Sequence, residues 1–259
     1  MEALTTKYQP QTLGDFRGLG RPKRILQNFA SQPTTSAWLL VGPSGLGKTT
    51  IALALQKAIG GALYHIPSRQ CDLATVEEIA GHCAYRPWNG GRFNTVIVDE
   101  ADQATKAAQI AFLSLLDSTA MPDDSVWIFT ANSLEKLEER LISRCRVIEF
   151  TSEDIDFPEM LDYIWSQEAM GRPSPDYTRI IKRAKGNVRT ALMELELELL
   201  DVAVVPPVVA TAPVPVAPAA TGTRNWFING IAVSFEQIRQ RLANNDFTGV
   251  TSTTTEVTA

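Results

Sequence analysis

Ala37-Trp38-Leu39-Leu40-Val41 runs straight into Gly42-Pro43-Ser44-Gly45-Leu46-Gly47-Lys48-Thr49, and a helical pattern over 50–59 follows. The eight residues from Gly42 satisfy G-x-x-x-x-G-K-[ST] in full. An apolar strand before them and a helix after them are the context that gives this motif its meaning. The glycines let backbone N–H groups turn inward around a phosphate, and the helix N-terminus adds positive potential. Lys48 is then expected to reach the β- and γ-phosphates of a nucleotide. The Thr49 hydroxyl is expected to ligand Mg²⁺, and Thr50 to complete the cradle.

Working outward, further short apolar runs recur at 62–66, 95–98, 126–130 and 147–150. Near-continuous hydrophobicity is what a strand covered on both faces requires. Helical patterns lie between them, around 73–84, 105–117 and 134–143. This alternation predicts an α/β domain over residues 1–150, a parallel sheet with helices on both faces. Residues 151–200 change character and predict a small helical domain, with helices over Phe157–Met170, Pro175–Ala184 and Asn187–Leu200 broken at Gly171 and Gly186. Residues 201–222 carry five prolines and one charge, which predicts an extended linker. A tail follows over 223–259. Asn229-Gly230 between apolar residues signals a hairpin, Ser234 caps one amphipathic helix, and the Thr-rich end from Thr251 is expected to be disordered.

Composition narrows the possible functions. No apolar run approaches the roughly 20 residues that span a bilayer, and the start lacks the basic-then-apolar layout of a secretory signal. Cys71, Cys83 and Cys145 stand far apart, against a disulfide scaffold or structural zinc and in keeping with a reducing cytoplasm. The net charge of −5 at first counts against nucleic acid, but it is unevenly placed. Residues 1–70 hold eight basic groups against Glu2 and Asp15, while the remainder holds 16 basic and 27 acidic residues. A basic front and an acidic back suit anion binding at one place.

Val96-Ile97-Val98-Asp99-Glu100-Ala101-Asp102 is an apolar strand ending in acid. With the phosphate loop some fifty residues earlier, Asp99 is expected near Mg²⁺ and Glu100 is placed to polarise an attacking water. Asp102 is read as structural, at the start of the next helix.

These residues resemble an AAA+ ATPase, and within it a clamp-loader subunit: the small subunits of replication factor C and their bacterial and phage equivalents. The resemblance spans about residues 5–200. Lys7-Tyr8-Gln9-Pro10 resembles the opening signature that lies over the adenine, so Tyr8 and Pro10 are implied in nucleotide binding; Gln9 stands where the family has Arg. Thr130-Ala131-Asn132 implies Asn132 as the residue that orients water or meets the γ-phosphate, against the plainer reading of a turn-forming Asn. Ser143-Arg144-Cys145 resembles the motif whose arginine enters a neighbouring subunit's ATP site, which implies an oligomer of AAA+ subunits joined through Arg144. Gly186-Asn187-Val188-Arg189 resembles the lid motif whose arginine, here Arg189, contacts the γ-phosphate. Lys106, and less directly Arg86 and Arg92, are nominated for DNA phosphates, with solvated surface charge as the equal alternative.

The implied cofactors are ATP and Mg²⁺, the implied partners a sliding clamp and primed DNA, and the implied place the cytoplasm of a bacterium or of a phage's host. The family continues past the lid into a helical collar; here the linker and tail stand in that position. Trp226, Phe227, Ile231 and Phe235 are read as apolar anchors for an unidentified protein docked by 223–247. The alternatives are another DNA-remodelling AAA+ ATPase, such as a helicase loader, or a nucleotide-gated scaffold.

Overall fold

The computed structural model describes residues 2–67, 70–117, 119–201, 224–228, 231–233 and 250–254. In chain order the elements are α1 (Leu4–Lys7), α2 (Gly20–Ser31), β1 (Ser36–Val41), α3 (Lys48–Ile59), β2 (Ala62–Ile66), α4 (Leu73–Cys83), β3 (Asn94–Val98), α5 (Lys106–Leu115), β4 (Ser125–Ala131), α6 (Glu139–Arg144), β5 (Arg146–Glu149), α7 (Phe157–Glu168), α8 (Tyr177–Ala184), α9 (Val188–Leu200), β6 (Arg224–Ile228), β7 (Ile231–Val233) and β8 (Val250–Thr254). They divide into two compact units, Met1–Val202 and Ala203–Ala259.

In the first unit five strands form a parallel sheet in the order β2-β3-β4-β1-β5. The apolar runs become strands because alternate residues fill two separate cores. Trp38, Leu40, Ile97 and Ile128 point to one face, and Leu39, Val41, Val98 and Phe129 to the other. The first face is covered by α2 and α3, the second by α4, α5 and α6. β1 leads away to the edge strand β2, the chain walks back through β3 and β4, and β5 then joins β1 on its other side. That reversal beside β1 is the switch point where open α/β sheets bind ligands, outside the carboxyl ends of the strands.

Helices α7, α8 and α9 end the first unit. Leu161, Ile164, Trp165, Leu192, Leu195 and Leu199 belong to the same core as Trp38 and Ile51, so these helices are continuous with the sheet's first face. Asp156, Asp176 and Asn187 each accept a backbone N–H three residues on, which is why the helices begin where they do.

Several sequence expectations need correction. Before β1 there is a further helix that the alternation above did not include: α2 is amphipathic and buries Pro22, Leu26 and Phe29. The helix expected over 134–143 occupies only Glu139–Arg144. Residues before it form a turn, in which the Glu138 N–H donates to Gln109 Oε1 at 3.0 Å and Gln109 Nε2 donates to the Lys136 carbonyl at 3.2 Å. Basic residues of the front also make contacts within the chain. Lys7 pairs with Glu168, Arg17 with Glu159, and Lys23 donates to the Phe16 carbonyl, leaving Lys48 as the cation inside the phosphate loop.

In the second unit β6 pairs antiparallel with both β7 and β8, in the order β7-β6-β8. Val250–Thr254 is thus a strand, where disorder was expected from Thr251 onward; β-branched Val and Thr suit a pleated edge. The Asn229-Gly230 turn, the helix after Ser234, Phe235 and the 202–222 linker lie outside the described residues.

The N-terminal segment is fastened to α7 through Glu168, which accepts from both Lys7 and Tyr8. Those donors hold the Glu168 carboxyl below its ordinary value of 4.5, the Lys7 bond first. A depressed carboxyl stabilises the fold above its unfolded value and loses that contribution as pH falls through the folded one. Glu168→Gln is therefore expected to lower the melting temperature at pH 7. The difference from wild type should shrink as pH falls below 4.5, and a difference constant across that range in thermal melts would contradict the linkage.

Candidate functional site

The loop between β1 and α3 adopts conformations that its glycines permit. Gly42, Gly45 and Gly47 have φ of 152°, 80° and 84°. A Cβ at Gly42 would strike the Phe150 carbonyl, and one at Gly45 would strike the Asn187 carboxamide. Absence of side chains there lets the loop pass under β5 and against the start of α9.

Lys48, the first residue of α3, is 8% exposed. Its ammonium donates to the Gly42 carbonyl at 2.6 Å, the Pro43 carbonyl at 2.8 Å and Asn132 Oδ1 at 3.2 Å. Burial pushes its pKa below the ordinary lysine value, while the charges of Asp102, Glu100 and Asp99 pull it back up. Asn132 follows β4 directly, so the strand end brings its carboxamide to the lysine. Its own N–H donates to Asp102 Oδ1 at 3.2 Å. Asp102 is buried, at 6% exposure, in a short 3-10 turn over Ala101–Gln103, and holds Asn132; the cap of α5 is Thr105.

Asp99 follows β3. Its Oδ1 accepts from the Thr49 hydroxyl at 2.7 Å and the Thr130 hydroxyl at 3.0 Å. Its Oδ2 lies 2.5 Å from His65 Nε2 on β2. Glu100 is exposed and left-handed, at φ 49° and ψ 51°, and its N–H donates to Thr130 Oγ1 at 3.0 Å. A non-glycine residue held there costs about 1–3 kcal/mol and persists only where surrounding contacts fix it. The next residues, Ala101–Gln103, turn tightly as a 3-10 helix.

A cavity of about 390 Å³ opens beside the loop. Tyr8, Gln9 and Pro10 line it from the N-terminal segment, Gly45, Leu46, Gly47 and Thr50 from the loop, and Arg189 from α9. Arg17 stacks over the Tyr163 ring, 4.1 Å from its centroid, at the same cavity. Mostly apolar walls with a few polar groups suit a planar base next to a phosphate cradle.

Of the residues expected from sequence, Lys48, Thr49, Asp99 and Asn132 meet at the strand ends, and Tyr8, Pro10 and Arg189 share the cavity. Pro43 and Ser44 contribute carbonyls, to Lys48 and to Asn187. Arg144 stands apart from the cavity lining: it ends α6, donates to the Arg140 carbonyl at 3.3 Å and lies 3.6 Å from Asp117 Oδ2. Arg92 pairs with Asp124 at 2.8 Å, Lys106 lies 3.6 Å from Glu138, and Arg86 is exposed. The cysteines carry no reactive thiolate, since burial pushes Cys71 up to about 11 and Cys83 and Cys145 up to about 12.

Sequence reasoning missed four contributors: His65, Thr130, the Asp102 link to Asn132, and Asn187. Only Asn187 had a signal, an N-cap Asn after Gly186. Its Oδ1 accepts from Thr190 N–H at 3.1 Å, while its Nδ2 donates to the Ser44 carbonyl at 3.0 Å. The Val188 N–H adds a bond to the Gly45 carbonyl at 3.2 Å, so the start of α9 is fixed to the loop.

The oxygen donors fit Mg²⁺. This ion keeps water and phosphate ligands and asks the protein for one or two oxygens. The paired Thr49 hydroxyl and Asp99 carboxylate meet that demand, and no group of three or more His, Cys, Asp or Glu suited to a self-contained metal site occurs among the described residues.

Residues 38–152 match the model of the AAA family, the ATPase family associated with various cellular activities. Those residues form an AAA ATPase domain. The AAA domain and the helices after it are similar to replication factor C small subunits. Small subunit 1 of Pyrobaculum islandicum is 26% identical over 199 residues, 74% of this chain and 60% of that protein. The small subunit of Methanothermobacter thermautotrophicus is 27% identical over 198 residues, 73% and 61%. The chain thus spans about three fifths of the length of these relatives. Among solved structures, the Thermotoga maritima RuvB Holliday junction branch migration motor shares the fold, with a TM-score of 0.58 at 20% identity over 73% of this chain and 64% of that one. No helix among the described residues is long and apolar enough to cross a membrane.

Asn187→Ala removes both a helix cap and the donor to Ser44. Loss of a cap costs about 1 kcal/mol, so the melting temperature should fall by roughly 2–4 °C. An unchanged melting temperature would mean that the start of α9 is held without it.

Proposed function

We propose that the chain binds ATP with Mg²⁺ at the Gly42–Thr50 loop and hydrolyses it, as one subunit of an oligomer that loads a ring-shaped sliding clamp onto primed DNA. The observation that carries the nucleotide part is the convergence of Lys48, Thr49, Asp99 and Asn132 at the carboxyl ends of β1, β3 and β4. The similarity to replication factor C small subunits, over three quarters of the chain, supports the clamp-loading part.

In this reading the three acceptors now engaged by Lys48 are exchanged for phosphate oxygens. The ammonium then serves as a fixed charge on the β- and γ-phosphates. Thr49 and Asp99 would hold Mg²⁺, which neutralises phosphate charge when bound. Glu100 acts as general base toward water, and its exposed carboxylate suits that role. Asn132 would orient the same water while Asp102 holds its backbone. Tyr8 and Pro10 would flank the base in the 390 Å³ cavity, and Arg189 would reach the γ-phosphate from α9. The bonds from Asn187 and Val188 to the loop would let nucleotide state be felt by 151–200 acting as a lid on the 1–150 domain.

Among the described residues Arg144 has Asp117 and a backbone carbonyl as its partners, and a neighbour's phosphate is the role proposed for its guanidinium. Lys106, at the first position of α5, would meet DNA phosphates; Arg92 would first leave Asp124, and Arg86 would assist. Such contacts are salt-sensitive and independent of sequence. The 223–259 tail, joined by the 201–222 linker, would dock on another protein of the assembly.

Glu100→Gln should keep ATP binding and lower turnover about 10²–10⁴-fold, the range for a lost general base. It should also retain clamp and primed DNA on the ATP-bound protein. Arg144→Ala should lower turnover about 10³-fold or more while ATP binding by the separate subunit stays intact. Unchanged turnover in Glu100→Gln would remove the assigned base. Lost ATP binding in Arg144→Ala would put that arginine in its own chain's site.

A further inference from the structure

Asp99 is held from two sides, and the two sides are not equivalent. Both hydroxyls, from Thr49 and Thr130, converge on Oδ1. His65 Nε2 faces Oδ2 at 2.5 Å. An ionised carboxylate only accepts hydrogen bonds, so Nε2 carries a proton and donates. Bonds to a charged acceptor are about twice as strong as neutral ones. The sheet enforces this contact. β2 pairs in parallel with β3, His65 beside Ile97 and Ile66 beside Val98, and the Asp99 N–H continues the ladder to the Ile66 carbonyl at 3.0 Å. The imidazole therefore arrives from the edge strand at the first residue beyond β3.

We propose that His65 is the positioning residue for Asp99, keeping its carboxylate aimed while the Thr49 hydroxyl turns from Asp99 to Mg²⁺. The proposal rests on the reading of Thr49 and Asp99 as the metal site. When Thr49 changes partner, Oδ1 keeps only Thr130 of its two hydroxyls. A carboxylate held through one oxygen can still rotate about its Cβ–Cγ bond. Held through Oδ2 as well, it cannot rotate without breaking a second charge-assisted bond. His65 thus belongs to the layer that orients a ligand without touching the metal, and loss of such partners typically costs 10–100-fold in metal affinity. Its side chain is 37% exposed on an edge strand, against 18% for Asp99, so replacing it leaves the cores untouched.

The test uses the full chain and a fluorescent ADP analogue, with Mg²⁺ titrated from an EDTA-treated start. The readout is the Mg²⁺ concentration at half-maximal change in binding. His65→Leu should raise that midpoint about tenfold. His65→Gln, whose amide nitrogen reaches the Nε2 position, should bring it back toward wild type. Metal-free binding of the analogue should be the same in all proteins. A wild-type midpoint in His65→Leu, beside a raised one in Asp99→Asn, overturns the role of His65 and leaves the metal reading standing. An unshifted Asp99→Asn overturns the metal reading and this proposal with it. His65→Gln as impaired as His65→Leu, or metal-free binding lost in His65→Leu, would make His65 a packing residue and overturn the proposal.

Discussion

The site is organised around a buried ammonium. Lys48 has left water almost completely, and a buried cation is tolerated only where its protons find acceptors. Two of the three acceptors are carbonyls of the loop that precedes it, and the third is the carboxamide that ends β4. For Gly42 and Pro43 to turn their carbonyls inward, the chain must pass where a Cβ would meet the Phe150 carbonyl, so glycine at 42 and the path of the chain after β5 are part of the same requirement. For Asn132 to arrive, β4 must lie beside β1, which is the strand order observed. Burial lowers the lysine's pKa, and the charges of Asp102, Glu100 and Asp99 offset part of that lowering.

From that centre, two further connections extend the site. Thr130, two residues before Asn132, reaches sideways to both the Asp99 carboxylate and the Glu100 N–H. One strand end therefore fixes the lysine partner and the acidic turn together. The start of α9 is bonded to the loop on its other side through Asn187 and Val188. The phosphate loop is therefore bonded both to the end of β4 and to the start of α9.

Much of this was legible in the sequence, for definite reasons. The loop motif, the apolar strand ending in Asp99-Glu100 and the five apolar runs are local signals, since each needs only its neighbours to be read. What escaped was mostly non-local. His65 reads as a polar residue on a half-exposed strand, and only the parallel register with β3 brings it to Asp99. Thr130 reads as one more β-branched strand residue. Asp102 reads as a structural residue at a helix start, but its partner, the Asn132 N–H, comes from another strand. The length of α6 was overcalled because Gln109, from a different helix, ties the preceding residues into a turn. α2 was the avoidable omission, since Pro22, Leu26 and Phe29 carry helical spacing in the sequence itself. The charge asymmetry is real, and Lys7, Arg17 and Lys23 of the basic front make contacts within the chain.

We propose that this domain drives a clamp-loading cycle. The most direct measurement is the steady-state ATP hydrolysis rate of the full chain with its partner subunits, alone, with primed DNA, with a sliding clamp, and with both. The account predicts a low basal rate and marked stimulation only when clamp and primed DNA are present together. A rate indifferent to the clamp, or stimulation by a replicative helicase in its place, would contradict it.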